Sequence, residues 1–144
     1  MRLVIQRAKS GKVIVDDNVI GKINYGFVVF VGIKKGDTPK NVKLLAEKLL
    51  NLRVMPDEKN KMNFSIKDIN GEILVVSQFT LYADTKGRRP GFSQAAEPKF
   101  AKKLFDFFIK ELKKSDLKIE TGKFGAEMLV EIQNDGPVTI ILEN

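Results

Sequence analysis

The chain has no histidine, no cysteine and no tryptophan among its 144 residues. Without cysteine there is no disulfide, no thiolate zinc site and no thiol nucleophile. Without histidine there is no imidazole base, no Ser-His-Asp triad and no imidazole metal ligand. Proline is sparse, and no Pro/Ser-rich linker, internal repeat or low-complexity tract divides the chain. No apolar run approaches the ~20 residues that a membrane span requires. Met1 is followed at once by Arg2 and a strand pattern, with no apolar leader and small-residue cleavage site. A cytoplasmic protein without a membrane segment is therefore expected. There is no GxGxxG and no P-loop, and no carboxylate pair stands at metal or glycosidase spacing. Neither a metal nor a cofactor is expected, and Asp16-Asp17 reads as a turn.

What is present is an ordinary globular balance, 43% hydrophobic and 30% charged, with 10 phenylalanines to fill a core. Residues 1–144 are expected to form a single domain. Lys and Arg number 25 against 18 Asp and Glu, a formal net charge of +7. Such a surface favours phosphate-bearing partners through counterion release. On charge alone, a lysine-rich solvated surface explains it more simply.

Patterning divides the chain into strands and two helices. In the opening, Leu3, Ile5 and Arg7 fall on one side and Val4, Gln6 and Ala8 on the other. Ser10-Gly11 reads as a turn, Val13–Val15 as a resumed strand and Asp16-Asp17-Asn18 as a second turn. Val19–Ile23 forms another strand. Gly26–Ile33 is a nearly unbroken β-branched and aromatic run, expected to be buried on both faces. Thr38 is an N-cap with Pro39 at the first helical position, and Val42, Leu45, Leu49 and Leu52 recur at helical spacing. Lys59–Asn63 is an exposed basic loop. Ile73–Leu81 is a strand that runs into polar Ser77-Gln78. Pro98 opens a second helix, with Ala101, Leu104, Phe105, Phe108 and Leu112 on one face. Residues 126–133 alternate as a half-buried strand, Asn134-Asp135-Gly136-Pro137 signals a turn, and Val138–Leu142 closes the chain. About seven or eight strands with two helices between groups of strands argue an α+β or mixed α/β fold, not a doubly wound sheet.

Three segments are candidates for chemistry. Ser77-Gln78, with Thr80, interrupts an apolar strand, where a strand end can offer backbone N–H groups to a ligand. Asn134 to Thr139 holds a Gly-Pro step, in which proline restricts the preceding glycine. Gly87 to Phe92 joins two guanidiniums to an aromatic, as a nucleic-acid surface does. Taken singly, each reads more simply as a strand rim, a hairpin turn and a solvated loop.

Together, Ser77-Gln78-Phe79-Thr80-Leu81 and Asn134-Asp135-Gly136-Pro137-Val138-Thr139 resemble the two signature motifs of the D-aminoacyl-tRNA deacylases. Ile5-Gln6-Arg7 resembles the family's opening strand and Phe124-Gly125-Ala126-Glu127-Met128 its segment before the last turn. Arg89-Pro90-Gly91-Phe92-Ser93 resembles its Arg-Pro-x-Phe loop, with Gly91 where the family often has serine. The resemblance spans the whole chain in order. It implies a strongly twisted, barrel-like antiparallel or mixed sheet with two main amphipathic helices. It implies a homodimeric hydrolase of the ester between a D-amino acid and the terminal adenosine of tRNA, which also clears glycine mischarged on tRNA(Ala). It implies catalysis at Ser77, Gln78, Phe79 and Thr80. Gly136-Pro137, as a cis dipeptide oriented by Arg7, would enter the partner subunit's pocket and reject L-amino acids, with Ala126 and Met128 also binding substrate. Lys86, Arg88 and Arg89 become candidates for the tRNA phosphates.

An enzyme without histidine or cysteine needs an activated substrate, and an aminoacyl ester beside a vicinal hydroxyl is one. RNA-assisted hydrolysis is therefore expected, with the protein supplying placement and backbone N–H groups near Gln78, Phe79 and Thr80. Thr80 as nucleophile would lack a base. The rival readings are a non-catalytic RNA-binding module and a small dimeric structural protein.

Overall fold

In the computed structural model, which describes residues 1–144, the chain opens on one unbroken strand, β1 (Arg2–Val15). The turn expected at Ser10-Gly11 is absent. Gly11 instead lets the strand lie close over its neighbour, since a Cβ there would stand 2.6 Å from Cγ2 of Val28. The first part of β1 pairs with β3 (Gly26–Gly32) and the last part with β2 (Asn18–Ile23), both antiparallel. The expected Asx turn joins β1 to β2, with Asp16 and Asp17 at positive φ.

The sheet runs β2-β1-β3-β6-β7, where β6 is Glu72–Ser77 and β7 is Ile119–Thr121. β6 is parallel to both of its neighbours, β3 and β7, and so the sheet is mixed. It twists until β2 returns towards β7: a Cβ on Gly21 would meet the Thr121 carbonyl at 2.8 Å. The result is a nearly closed, barrel-like sheet in an α+β fold. As the run of β-branched residues predicts, β3 is buried almost throughout.

The last strand, β8 (Leu129–Glu143), pairs with β1 from Ile14 back to Arg2. No turn interrupts it at Asn134–Pro137. The register shifts on either side of the Ala8–Asn134 pair instead, so the Gly-Pro step, between the Gln6–Thr139 and Ala8–Asn134 pairs, is a bulge within a continuous strand. The alternating segment enters this strand only at Leu129; residues 126–128 precede it. Likewise β6 stops at Ser77, and Phe79–Tyr82 forms a 3₁₀ turn where a continued strand was expected.

Helix α1 (Pro39–Asn51) starts as read, with Thr38 and Asn41 exchanging bonds in a capping box. Leu52 lies one step past its end. Helix α2 (Pro98–Leu112) buries the five residues its spacing marks. Both helices cover one face of the sheet and share a core with Leu3, Ile5, Phe27 and Val29. A second core of Ala8, Val13, Ile23, Val28 and Leu74 fills the concave side. Two short strands, β4 (Met55–Pro56) and β5 (Met62–Phe64), form a hairpin in which β5 takes part of the expected Lys59–Asn63 loop. No helix is long and apolar enough to cross a membrane.

The Tyr82 ring is 4% exposed, and its buried hydroxyl has no hydrogen-bond partner. Burial, helped by the nearby Asp37 carboxylate, pushes the phenol well above its ordinary range. Tyr82→Phe removes an unsatisfied buried group while keeping the ring. It should leave stability unchanged or raise it by up to ~1 kcal/mol, as thermal denaturation would record.

Candidate active site

Where β3 and β6 end, the sheet leaves a pocket of about 550 Å³ against the start of α2. Ser77, Gln78 and Phe79 form one wall, Ala126 and Met128 another, and Phe92 and Phe124 stand at its lips. Five of the residues singled out in the sequence therefore meet in one cavity. The local cause is the end of β6. Gln78 N–H closes the strand pairing on the Val31 carbonyl at 2.8 Å, after which the chain folds into the 3₁₀ turn. Phe79 is turned outward, 57% exposed, and packs edge-on against Phe92 at 5.0 Å between centroids.

Because Gln78 N–H donates to Val31, it is not free for a ligand, which leaves Phe79 and Thr80 as the candidate N–H donors of this segment. Within the turn, Leu81 donates to Gln78 and Ala83 to Thr80. Phe79 and Thr80 stand at its start, where a 3₁₀ bond has no upstream acceptor within the turn. Thr80 itself is exposed and does not line the cavity. Its Oγ1 accepts from Nε2 of Gln78 at 2.5 Å. An amide donor is no base, so this arrangement does not activate the hydroxyl as a nucleophile.

Most of the cavity lining is apolar, and Glu97 is its single ionisable member. Sequence reading passed over Glu97 and its neighbours Ala95 and Ala96. An Ala-Ala-Glu-Pro stretch carries only a helix-start signal, and nothing local marks it as a pocket wall.

Arg7, Gly136 and Pro137 lie elsewhere; none lines the cavity. Arg7 is paired with Phe27 across β1 and β3, whereas Ser77 is paired with Val31 across β3 and β6. Four residues of β3 separate these positions, about 13 Å at ~3.3 Å per residue. Within one chain the two motifs are not brought together.

The second cluster has its own order. Arg7 Nε stands 3.0 Å from Asp135 Oδ2 and its Nη1 donates to the Val54 carbonyl at 2.9 Å. The Tyr25 hydroxyl donates to the same Asp135 carboxylate at 3.2 Å. Burial first, and then Asp135, raises the Tyr25 phenol above its ordinary range. The Gly136–Pro137 bond is cis, and Gly136 has φ 116°. A Cβ on Gly136 would lie 3.1 Å from Arg7 Nη2 and 2.9 Å from Val138 Cγ2. Asp135, Tyr25 and Val54 were not legible as a group, because they come from three distant segments.

Asp135→Asn removes the carboxylate charge from a pair whose side chains are only 11% and 20% exposed. Hydrogen bonds to charged groups contribute about 1.5–3 kcal/mol. A loss of about 2 kcal/mol in denaturant unfolding is expected, with Tyr25→Phe losing less.

The basic segment is a loop closed by reciprocal Asp84–Gly91 backbone bonds of 2.7 and 2.9 Å. Lys86, Arg88 and Arg89 are exposed, enter no ion pair, and precede Phe92 at the cavity's lip.

The comparisons with known proteins are consistent across the chain. Residues 4–143 match the family model described as D-Tyr-tRNA(Tyr) deacylase. A D-aminoacyl-tRNA deacylase of Aquifex aeolicus is 56% identical over 100% of this chain and 98% of its own length. That of Desulfotalea psychrophila is 52% identical over 100% of this chain and 97% of its own. Among solved structures, one titled c-Myc DNA Unwinding Element Binding Protein superposes with a TM-score of 0.94 at 43% identity, covering 100% of this chain and 99% of that one. A probable eukaryotic D-amino acid tRNA deacylase superposes with a TM-score of 0.86 at 17% identity, over 98% and 97% of the two chains, a likeness of fold.

Proposed function

The chain belongs to the D-Tyr-tRNA(Tyr) deacylase family, and from that premise we propose that it hydrolyses the ester of D-aminoacyl-tRNA to free D-amino acid and tRNA. The observation that carries the reading is the cavity itself. It gathers Ser77, Gln78, Phe79, Ala126 and Met128 and contains no side chain suited to strong general-base work apart from Glu97. A site so poor in proton-transfer groups suits a substrate that supplies its own.

In this reading the ester carbonyl lies beside the Phe79–Tyr82 turn, whose leading N–H groups, those of Phe79 and Thr80, face developing oxyanion charge. Gln78 orients Thr80 through their 2.5 Å bond. The terminal ribose 2′-hydroxyl positions or activates water, and the protein contributes placement. Lys86, Arg88 and Arg89 meet acceptor-stem phosphates, which predicts steep salt dependence of binding.

Gly136-Pro137 acts on a second copy of the chain. One observation favours a dimer beyond the separation of the two motifs. β8 pairs only with β1, leaving a 15-residue strand edge open, and it exposes Leu129 at 60% and Ile141 at 62%. Long open edges of this kind are normally covered. Delivered to the partner's cavity, the dipeptide's backbone stands against the substrate's α-carbon, backed by the Arg7 and Val138 side chains that fill the space a Cβ on Gly136 would take. It crowds the side an L-side chain would occupy and leaves D-side chains free, whatever their identity. Glycine carries no Cβ to reject, so glycyl-tRNA should also be cleaved.

The decisive assay incubates purified protein with D-tyrosyl-tRNA and L-tyrosyl-tRNA and follows released tyrosine. Release from the D-form alone is expected. Binding without release would make the protein an RNA-binding module, and equal release from both would remove the chiral reading.

A further inference from the structure

The turn that walls the cavity is held from outside by a residue far from the chemistry. Arg2 begins β1, opposite Gly32 of β3 on one side and Glu143 of β8 on the other. Its Nη1 donates to the Leu81 carbonyl at 2.6 Å. Nε and Nη2 donate to the Glu143 carboxylate at 3.1 and 3.0 Å. Its guanidinium carbon stands 4.9 Å from the centroid of the Tyr82 ring, the residue that ends the turn. From below, the same turn rests on β3, where a Cβ on Gly32 would stand 2.9 Å from Leu81 Cβ.

We propose that Arg2 is a positioning residue for the cavity: the guanidinium, oriented by Glu143, fixes the Leu81 carbonyl and the Tyr82 ring and so sets where Phe79 and Thr80 stand. The inference rests on the Ser77–Phe79 wall being where the ester is cleaved. The geometry requires arginine. One group must donate to a carbonyl, grip a carboxylate and lie over a ring, which a planar fork can do and a lysine ammonium cannot. The Arg2–Glu143 pair is partly open to solvent, with both side chains more than a third exposed. Pairs of that kind add little to global stability. The consequence of losing Arg2 therefore falls on placement. Misplacing reacting groups by about 1 Å is enough to slow turnover ~100-fold.

The test compares Arg2→Met, Arg2→Lys, Glu143→Ala and, as a marker of the cavity, Ala126→Phe. Each is measured for hydrolysis of D-tyrosyl-tRNA at saturating and limiting enzyme and for thermal midpoint. For both Arg2 variants, a saturating rate down ~30–100-fold with half-saturation little changed is expected. Glu143→Ala should lose less than tenfold while melting no higher than either Arg2 variant. Guanidinium or methylguanidinium ion should restore part of the rate to Arg2→Met and none to Ala126→Phe. Wild-type rates in both Arg2 variants, with Ala126→Phe inactive, would overturn the positioning role and leave the cavity reading standing. Wild-type rates in Ala126→Phe would overturn the cavity reading and this inference with it. Rates in the Arg2 variants that fall only in step with melting, without guanidinium rescue, would reduce Arg2 to a structural contact.

Discussion

Hydrolysis of D-tyrosyl-tRNA should slow by about 10²–10⁴-fold when the terminal 2′-hydroxyl is replaced by hydrogen and the acyl group sits on the 3′ oxygen, the range typical of one well-placed proton-transfer group. The expectation follows from what the cavity lacks. The chain has no imidazole and no thiol. The Thr80 hydroxyl accepts from an amide and has no base beside it. The remaining lining is apolar or neutral except for Glu97. Glu97→Gln is therefore the internal control. If the sugar hydroxyl is the active group, this variant stays within about tenfold of wild type, well short of the loss of a general base. An undiminished rate on the deoxy substrate, paired with inactivity of Glu97→Gln, would transfer the base from RNA to protein. Single-turnover measurement is the appropriate check, because it reads the chemical step apart from release.

The second large effect concerns handedness. Gly136→Ala should narrow the difference between D- and L-tyrosyl-tRNA, because a displaced dipeptide admits the L-form while misplacement slows the D-reaction about 100-fold. Two features of the site combine. At φ 116° an L-side chain is strained, which costs about 1–3 kcal/mol. The added Cβ also has nowhere to go, at 2.9 Å from Val138 Cγ2 and 3.1 Å from Arg7 Nη2. The dipeptide can relieve this only by moving, and Arg7 can yield only by loosening its contacts with Asp135 and Val54. A folded Gly136→Ala protein that keeps the wild-type ratio of D to L rates would show that the dipeptide does not carry the selection. Asp135→Asn provides a graded comparison, since it weakens the same anchor without adding an atom to the dipeptide.

Some elements could be read directly from residues because their signals are local and dense. The Gly26–Gly32 run, the Thr38-Pro39 helix start and the five apolar positions of α2 each impose one structure on their own neighbourhood. The absence of histidine and cysteine bounds the chemistry whatever the fold. The paired motifs around Ser77–Leu81 and Asn134–Thr139 pointed to the family over the whole chain.

Tertiary structure decided what local signals could not. Ser10-Gly11 and Asn134–Pro137 both read as turns, yet both lie inside strands. Each strand is held straight by a partner more than a hundred residues away, and β1 pairs with β8 along nearly its whole length. A turn signal weighs the preferences of a few residues. Continuous pairing satisfies a full ladder of backbone groups and absorbs the irregular residues as bulges. The same non-local logic gathers Glu97, Phe124 and Met128 into one cavity, and seats Asp135, Tyr25 and Val54 around Arg7. Composition and motif determined what chemistry this chain can attempt. Only the closing of the sheet determined which side chains stand together to attempt it, because that depends on packing between segments that do not neighbour each other in sequence.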